Sequence, residues 1–397
     1  MEDVKNMSIA TKAIHGGVSK EKGYGSLSMP IYQTSTFVFE TAEQGGRRFA
    51  GEEEGYIYSR LGNPTISLLE EKIALLEGAE ACVAFSSGMG AISSTLWTIA
   101  AAGKHIIADS TLYGCTFALL NHGMTRYGVE VSFIDTSDLD QVKNALKDNT
   151  CAVYLESPAN PTLKIEDIAE VAKIAHDFNK DIKVVVDNTF ATPVLQKPLE
   201  LGADVVVHSA TKYLNGHGDV IAGFACGTAE FMAEMRLFGL KDMTGAVLGP
   251  QEAFLIMRGL KTLALRVPKH VENAKKIVEY LVSEPKVKKV YYPGLEDHPG
   301  HDIAAKQMAD FGGMVAFEVE SREAGAALCN ALELCTCAVS LGDAETLIEH
   351  PASMTHSPYT AEELAEAGIP EGLIRLAVGL EEADELIADF KQAFAKI

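Results

Sequence analysis

The sequence predicts an α/β fold: a mainly parallel seven-stranded sheet covered by helices, a smaller C-terminal α/β domain, and an extended N-terminal arm. Three observations carry this. Short apolar runs recur between residues 81 and 227 as ACVAF, HIIA, VEVSFID, CAVYLE, KVVVD, DVVVHSA and IAGFACG, and strands with no polar face are those buried on both sides. Segments of helical spacing separate most of them, the alternation of a doubly covered parallel sheet. The texture also changes twice, near residue 60 and near residue 260.

In chain order, residues 1–62 show weak periodicity and many turn residues, as in GGVSKEKGYGS and GEEEGYIYSR, and read as an arm. Residues 63–260 form the large domain. It opens with helical spacing in PTISLLEEKIALLEG and continues with helices near 89–102, over LYGCTFALLNHGMT and over IEDIAEVAKIAHDFN. Residues 261–397 form the C-terminal domain, with a long helix from LALRVPKHVENAKKIVEYL and strands in VKKVYYPG, GGMVAFEVE and LIRLAVGLE. Before the last strand lies a long irregular stretch, AVSLGDAETLIEHPASMTHSPYT. Loops of that length inside compact domains are commonly functional.

Composition narrows the function classes. At 397 residues the chain exceeds one ordinary core. Its 34 basic against 55 acidic side chains give a net charge of −21, which repels nucleic acid and anionic membranes, so neither is expected as a partner. Seven cysteines (82, 115, 151, 226, 329, 335 and 337) lack the paired spacing of a zinc site. They read as mostly reduced, buried thiols of a cytoplasmic protein, with no metal expected. No window approaches the roughly 18 apolar residues of a membrane span, and MEDVKNMSIATKAIHGG lacks the apolar core of a signal peptide.

In parallel sheets ligands gather at the carboxyl ends of the strands. Ser86 to Gly90 follow ACVAF, Asp187 ends KVVVD, and Lys212 follows VVVHSAT. A lysine is commonly a surface residue whose stem covers apolar atoms. At a water-poor strand end it loses its proton more readily and becomes a nucleophilic amine. Ser209 and Thr211 add hydroxyls beside it, and SSGMGAIS supplies free N–H groups at a helix start, which suits a phosphate. An aspartate after a strand often only caps a turn. Acid, amine and phosphate donors together are the parts required by pyridoxal 5'-phosphate. A dinucleotide fingerprint fails, because counting from Gly88 its third glycine falls at Ser93.

SATKYLNGH, VVVDNTF, YSRLGNPT, SSGMGAI, ESPANP and AVSLGDAETLIEHPASMTH resemble, in order, motifs of the Cys/Met-metabolism family of pyridoxal-phosphate enzymes, from about residue 10 to the C-terminus. The resemblance implies the fold type I of PLP-dependent transferases and a homotetramer built from tight dimers. It implies that Lys212 bonds the cofactor, Asp187 pairs with the pyridine nitrogen, and Gly88, Met89, Ser209 and Thr211 hold the phosphate. Tyr58 and Arg60 would reach the phosphate of the neighbouring subunit. Tyr113 would stack on the ring and act as an acid. Arg375 would bind the substrate α-carboxylate, with Ser340 and Asn160 in the same pocket.

Three features are similar to the methionine-cleaving branch of that family: Cys115 after Tyr113, Lys241 and Asp242 in GLKDMTG, and Val339 before Ser340. Cystathionine-cleaving relatives commonly carry a glutamate at the Val339 position, and a neutral thioether needs none. Each has a plainer reading, since Cys115 could be a packing residue and Lys241 with Asp242 an exposed pair. The implied reaction is α,γ-elimination of L-methionine to methanethiol, 2-oxobutyrate and ammonia. γ-Replacement on an acylated homoserine and cleavage of cystathionine are the alternatives.

Overall fold

The computed structural model describes residues 2–17, 24–355, 357, 360, 364 and 368–397. Part of the turn-rich arm (18–23) and the end of the irregular stretch (356, 358 and 359) therefore lie outside the described residues.

The larger sheet contains β1 (Ala81–Phe85), β2 (His105–Asp109), β3 (Glu130–Ile134), β4 (Thr150–Glu156), β5 (Lys183–Asp187), β6 (Val205–Ser209) and β7 (Gly223–Gly227), in the order β1-β7-β6-β5-β4-β2-β3. All neighbours are parallel except β7, which runs antiparallel to both β1 and β6. Val184, Val185 and Val186 of β5 are all buried, as β-branched residues covered on both faces should be. The helix Pro64–Glu77 covers one face. Asn63 accepts from the Thr65 N–H at its start, and Gly78 ends it at φ +78°, a conformation that favours glycine.

A smaller sheet contains β8 (Lys289–Tyr291), β9 (Met314–Glu318), β10 (Thr336–Cys337), β11 (Leu347–Glu349) and β12 (Leu373–Ala377), in the order β10-β11-β12-β9-β8. Apart from β10 with β11 it is antiparallel. The helix Leu263–Ser283 packs on both β8 and β9, and its His270 Nδ1 lies 2.6 Å from the Val378 carbonyl just past β12.

Two regions are more regular than sequence reading expects. The arm contains the helices Ile9–His15 and Ala42–Phe49, started by Ser8 and Thr41 side chains; both are too short for a periodic pattern to emerge. The stretch that reads as irregular holds β11, whose three residues cannot display strand alternation. No helix among the described residues is long and apolar enough to cross a membrane.

Candidate active site

The carboxyl ends of β4, β5 and β6 open into a cavity of about 280 Å3. On one wall the helix Gly88–Ile99 begins, with the Ser87 hydroxyl accepting from the Gly90 N–H at 2.9 Å. The first N–H groups of a helix lack intrahelical acceptors and carry its positive end. Close approach is built in: a Cβ on Gly88 would lie 2.8 Å from Ser209 Cβ, and one on Gly223 would lie 2.2 Å from the Ser87 carbonyl oxygen. Gly88, Met89, Ser209 and Thr211 thus share one wall, although the Thr211 hydroxyl is also engaged with Ala222 of the opposing backbone.

Asp187 lies beside Glu156 in the sheet register. Its carboxylate accepts from the Thr189 N–H at 3.0 Å and from the Tyr154 hydroxyl at 3.5 Å. Burial raises the Asp187 carboxyl above its usual range, against the pull of Thr189 and His208. Burial, then Asp187 itself, pushes Glu156 further up. Asp187 has no ion pair among the described residues, so a cation placed against it would supply the partner this carboxylate lacks.

Lys212 enters from the turn after β6, and its Nζ donates to Ser340 Oγ at 3.2 Å. Arg266 braces that turn, donating to the Tyr213 and Gly259 carbonyls at 2.9 and 3.0 Å. Burial, then the Arg375 charge, lowers the Lys212 pKa, with Asp343 and Glu349 opposing. Tyr113 lines the same cavity, its own N–H held by the Glu156 carboxylate. A hydrogen bond with Cys115, then burial, pushes the Tyr113 phenol up to about 12.

Arg375 of β12 completes the far wall. Its Nη1 donates to Asn160 Oδ1 at 3.0 Å and its Nη2 to the Ser340 carbonyl at 3.2 Å. Asn160 is presented by the loop after β4, where Ala159 and Lys164 pair as an isolated bridge. Val339 lines the same cavity and is 56% exposed.

Not every expected residue meets there. Tyr58 and Arg60 stand outside this cavity; the Arg60 guanidinium lies 5.9 Å from the Tyr58 ring centre and donates to the Lys241 carbonyl at 3.0 Å. Lys241 and Asp242 pair with each other at 2.9 Å, also away from the cavity. Cys115 is exposed and interacts with Tyr113, which lines the cavity. Sequence reading singles out neither Glu156 nor Thr189, although both stand inside the motifs ESPANP and VVVDNTF. Their position at strand ends is the signal that identifies them. Glu349, 3.2 Å from Arg375, carried no such signal.

The residues fit pyridoxal phosphate. The Gly88 wall would hold the phosphate, the uncompensated Asp187 would face the ring nitrogen, and Lys212 would meet the aldehyde. Residues 10–395 match the family described as Cys/Met metabolism PLP-dependent enzyme. The chain is 64% identical to the L-methionine gamma-lyase of Fusobacterium nucleatum subsp. nucleatum, over 100% of both chains. It is 59% identical to that of Treponema denticola, over 100% of this chain and 99% of the other. The crystal structure of metB from Corynebacterium glutamicum superposes with a TM-score of 0.92 at 42% identity, covering 98% of this chain and 99% of that one.

Proposed function

Because the chain belongs to the Cys/Met metabolism PLP-dependent enzymes, we propose that this cavity carries out α,γ-elimination of L-methionine, releasing methanethiol, 2-oxobutyrate and ammonia. The observation that carries the reading is full-length identity of about 60% to proteins named L-methionine gamma-lyase. The pocket agrees with it, since Val339 offers no charge to a distal amino group and suits a neutral thioether tail.

Pyridoxal phosphate, when bound, supplies an electron sink that makes protons beside the substrate nitrogen removable. The remaining work belongs to side chains. Arg375, held by Asn160 and the Ser340 carbonyl, anchors the α-carboxylate. Lys212 Nζ, whose proton affinity burial lowers, takes the Cα proton, gives it up, and then takes one from Cβ, whose electron pair forms the Cβ–Cγ double bond as the Cγ–S bond breaks. Tyr113, kept neutral by its raised pKa, donates its hydroxyl proton to the departing thiolate. Asp187 would stabilise a protonated ring nitrogen, and the Gly88 wall would hold the phosphate.

The phosphate site also motivates a reading of the assembly. Tyr58 and Arg60 serve the cavity of a neighbouring chain in a homotetramer of paired dimers. Support comes from their position outside their own cavity. The seven free cysteines are in keeping with a cytoplasmic setting.

The test is incubation of the holoenzyme with L-methionine alone. Formation of 2-oxobutyrate and methanethiol without an added thiol is the expected result. Activity only when an acylated homoserine and a thiol are supplied would replace elimination by γ-replacement.

A further inference from the structure

Arg375 does not wait for its ligand as a free cation. Glu349 on β11 is its cross-strand partner in the antiparallel register, with Oε1 3.2 Å from Nη1 and side chains only 3% and 8% exposed. The guanidinium is therefore neutralised before any substrate arrives. An unpaired buried arginine would be costly, which accounts for a carboxylate at this place.

Glu349 is itself incompletely served. Its Oε2 is buried and has no hydrogen-bond partner among the described residues. Its charge acts on Arg375 of β12 and on Lys212 of the turn after β6. A buried carboxylate oxygen without a partner carries a desolvation cost that the pairing with Arg375 does not fully offset. Of the two cations, Glu349 touches Arg375.

We propose that Glu349 is a positioning residue, the resident counter-ion of Arg375, which sets how loosely the site holds any α-carboxylate by sharing the guanidinium with it. An incoming carboxylate must bind beside an existing one on the same fork, and like charges so placed oppose each other. Substrate and 2-oxobutyrate are both carboxylates, so the same competition that weakens substrate binding speeds release of product. The inference rests on Arg375 being the carboxylate anchor of the proposed function.

The experiment uses 4-(methylsulfanyl)butanoate, which has methionine's tail and carboxylate but no amino group to react. Its affinity for the holoenzyme, and that of the neutral 4-(methylsulfanyl)butanamide, are measured by calorimetry in the wild type and in Glu349→Gln. The variant should bind the acid about tenfold tighter and the amide unchanged. Equal or weaker binding of the acid, or an equal change for the amide, overturns the proposal. Should Glu349→Gln fail to fold, Glu349→Asp draws the charge back by one methylene. It should bind the acid more tightly than the wild type by a smaller factor, and wild-type affinity would overturn the proposal. Because neither ligand can be eliminated, the result does not depend on methionine turnover. Equal affinity of acid and amide in the wild type would instead strike down the Arg375 anchor, and the proposal with it.

Discussion

Tyr113 shows how one neighbour sets the use of a side chain. Its phenol is pushed up to about 12, first by the hydrogen bond with Cys115 and then by burial, so it keeps its proton through neutral pH and has one to give. Tyr113→Phe should lower kcat by roughly 10²- to 10⁴-fold, the usual share of a general acid, with cofactor content unchanged. Loss of bound cofactor in step with activity would mark Tyr113 as a binding residue instead. Cys115→Ala removes the contact that raises the phenol. The Tyr113 pKa then falls, and the alkaline limb of the kcat profile moves to lower pH while elimination persists. An unmoved limb would separate the two residues. Asp187 and Lys212 were legible in the sequence because one ends an apolar run and the other follows one closely. Glu349 was not, since only the register of β11 against β12 brings it to Arg375.

At the scale of elements, the loop that carries Asn160 is pinned by an ion cluster. Lys164 Nζ lies 2.9 Å from Asp109, 2.6 Å from Asp135 and 3.0 Å from Glu166. Asp109 ends β2 and also accepts from Thr136, so the cluster ties the loop after β4 to the neighbouring strand. The three carboxylates lie close enough together to hold a metal ion, but the lysine ammonium stands among them and compensates their charge. Lys164→Met would leave Asp109 and Glu166 buried without it, at a cost of about 3–5 kcal/mol in denaturant unfolding. It should also raise KM for methionine more than it lowers kcat, because Asn160 would orient Arg375 less well, and Lys164→Arg should recover part of both. A variant as stable as the wild type, with KM unchanged, would show that the clamp is idle. The cluster was hidden from sequence reading, which has no means of joining residues 109, 135 and 166. The alternating strands and helices were legible because burial on both faces dictates their composition. Capped helices of seven or eight residues in the arm were not.

For the whole molecule the open question is what the arm does, and its surface bears on the answer. Leu27, Val38 and Phe49 are 95%, 91% and 70% exposed, an apolar display that suits contact with another chain. Arg60, in the same arm, has no ion pair among the described residues and stands outside its own chain's cavity. A cation so placed is well matched to an anion bound elsewhere, and a two-fold pair of chains would exchange such arms reciprocally. If they do, Arg60→Ala and Lys212→Ala damage different chains of the same site. Each variant alone should be nearly inactive. A dimer containing one chain of each concentrates both lesions in one site and leaves the other intact, so random mixing on co-expression should restore about a quarter of wild-type activity. Activity no greater than the sum of the two separate variants would mean that Arg60 serves its own chain. The arm would then be a brace along Lys241, whose carbonyl Arg60 already holds at 3.0 Å.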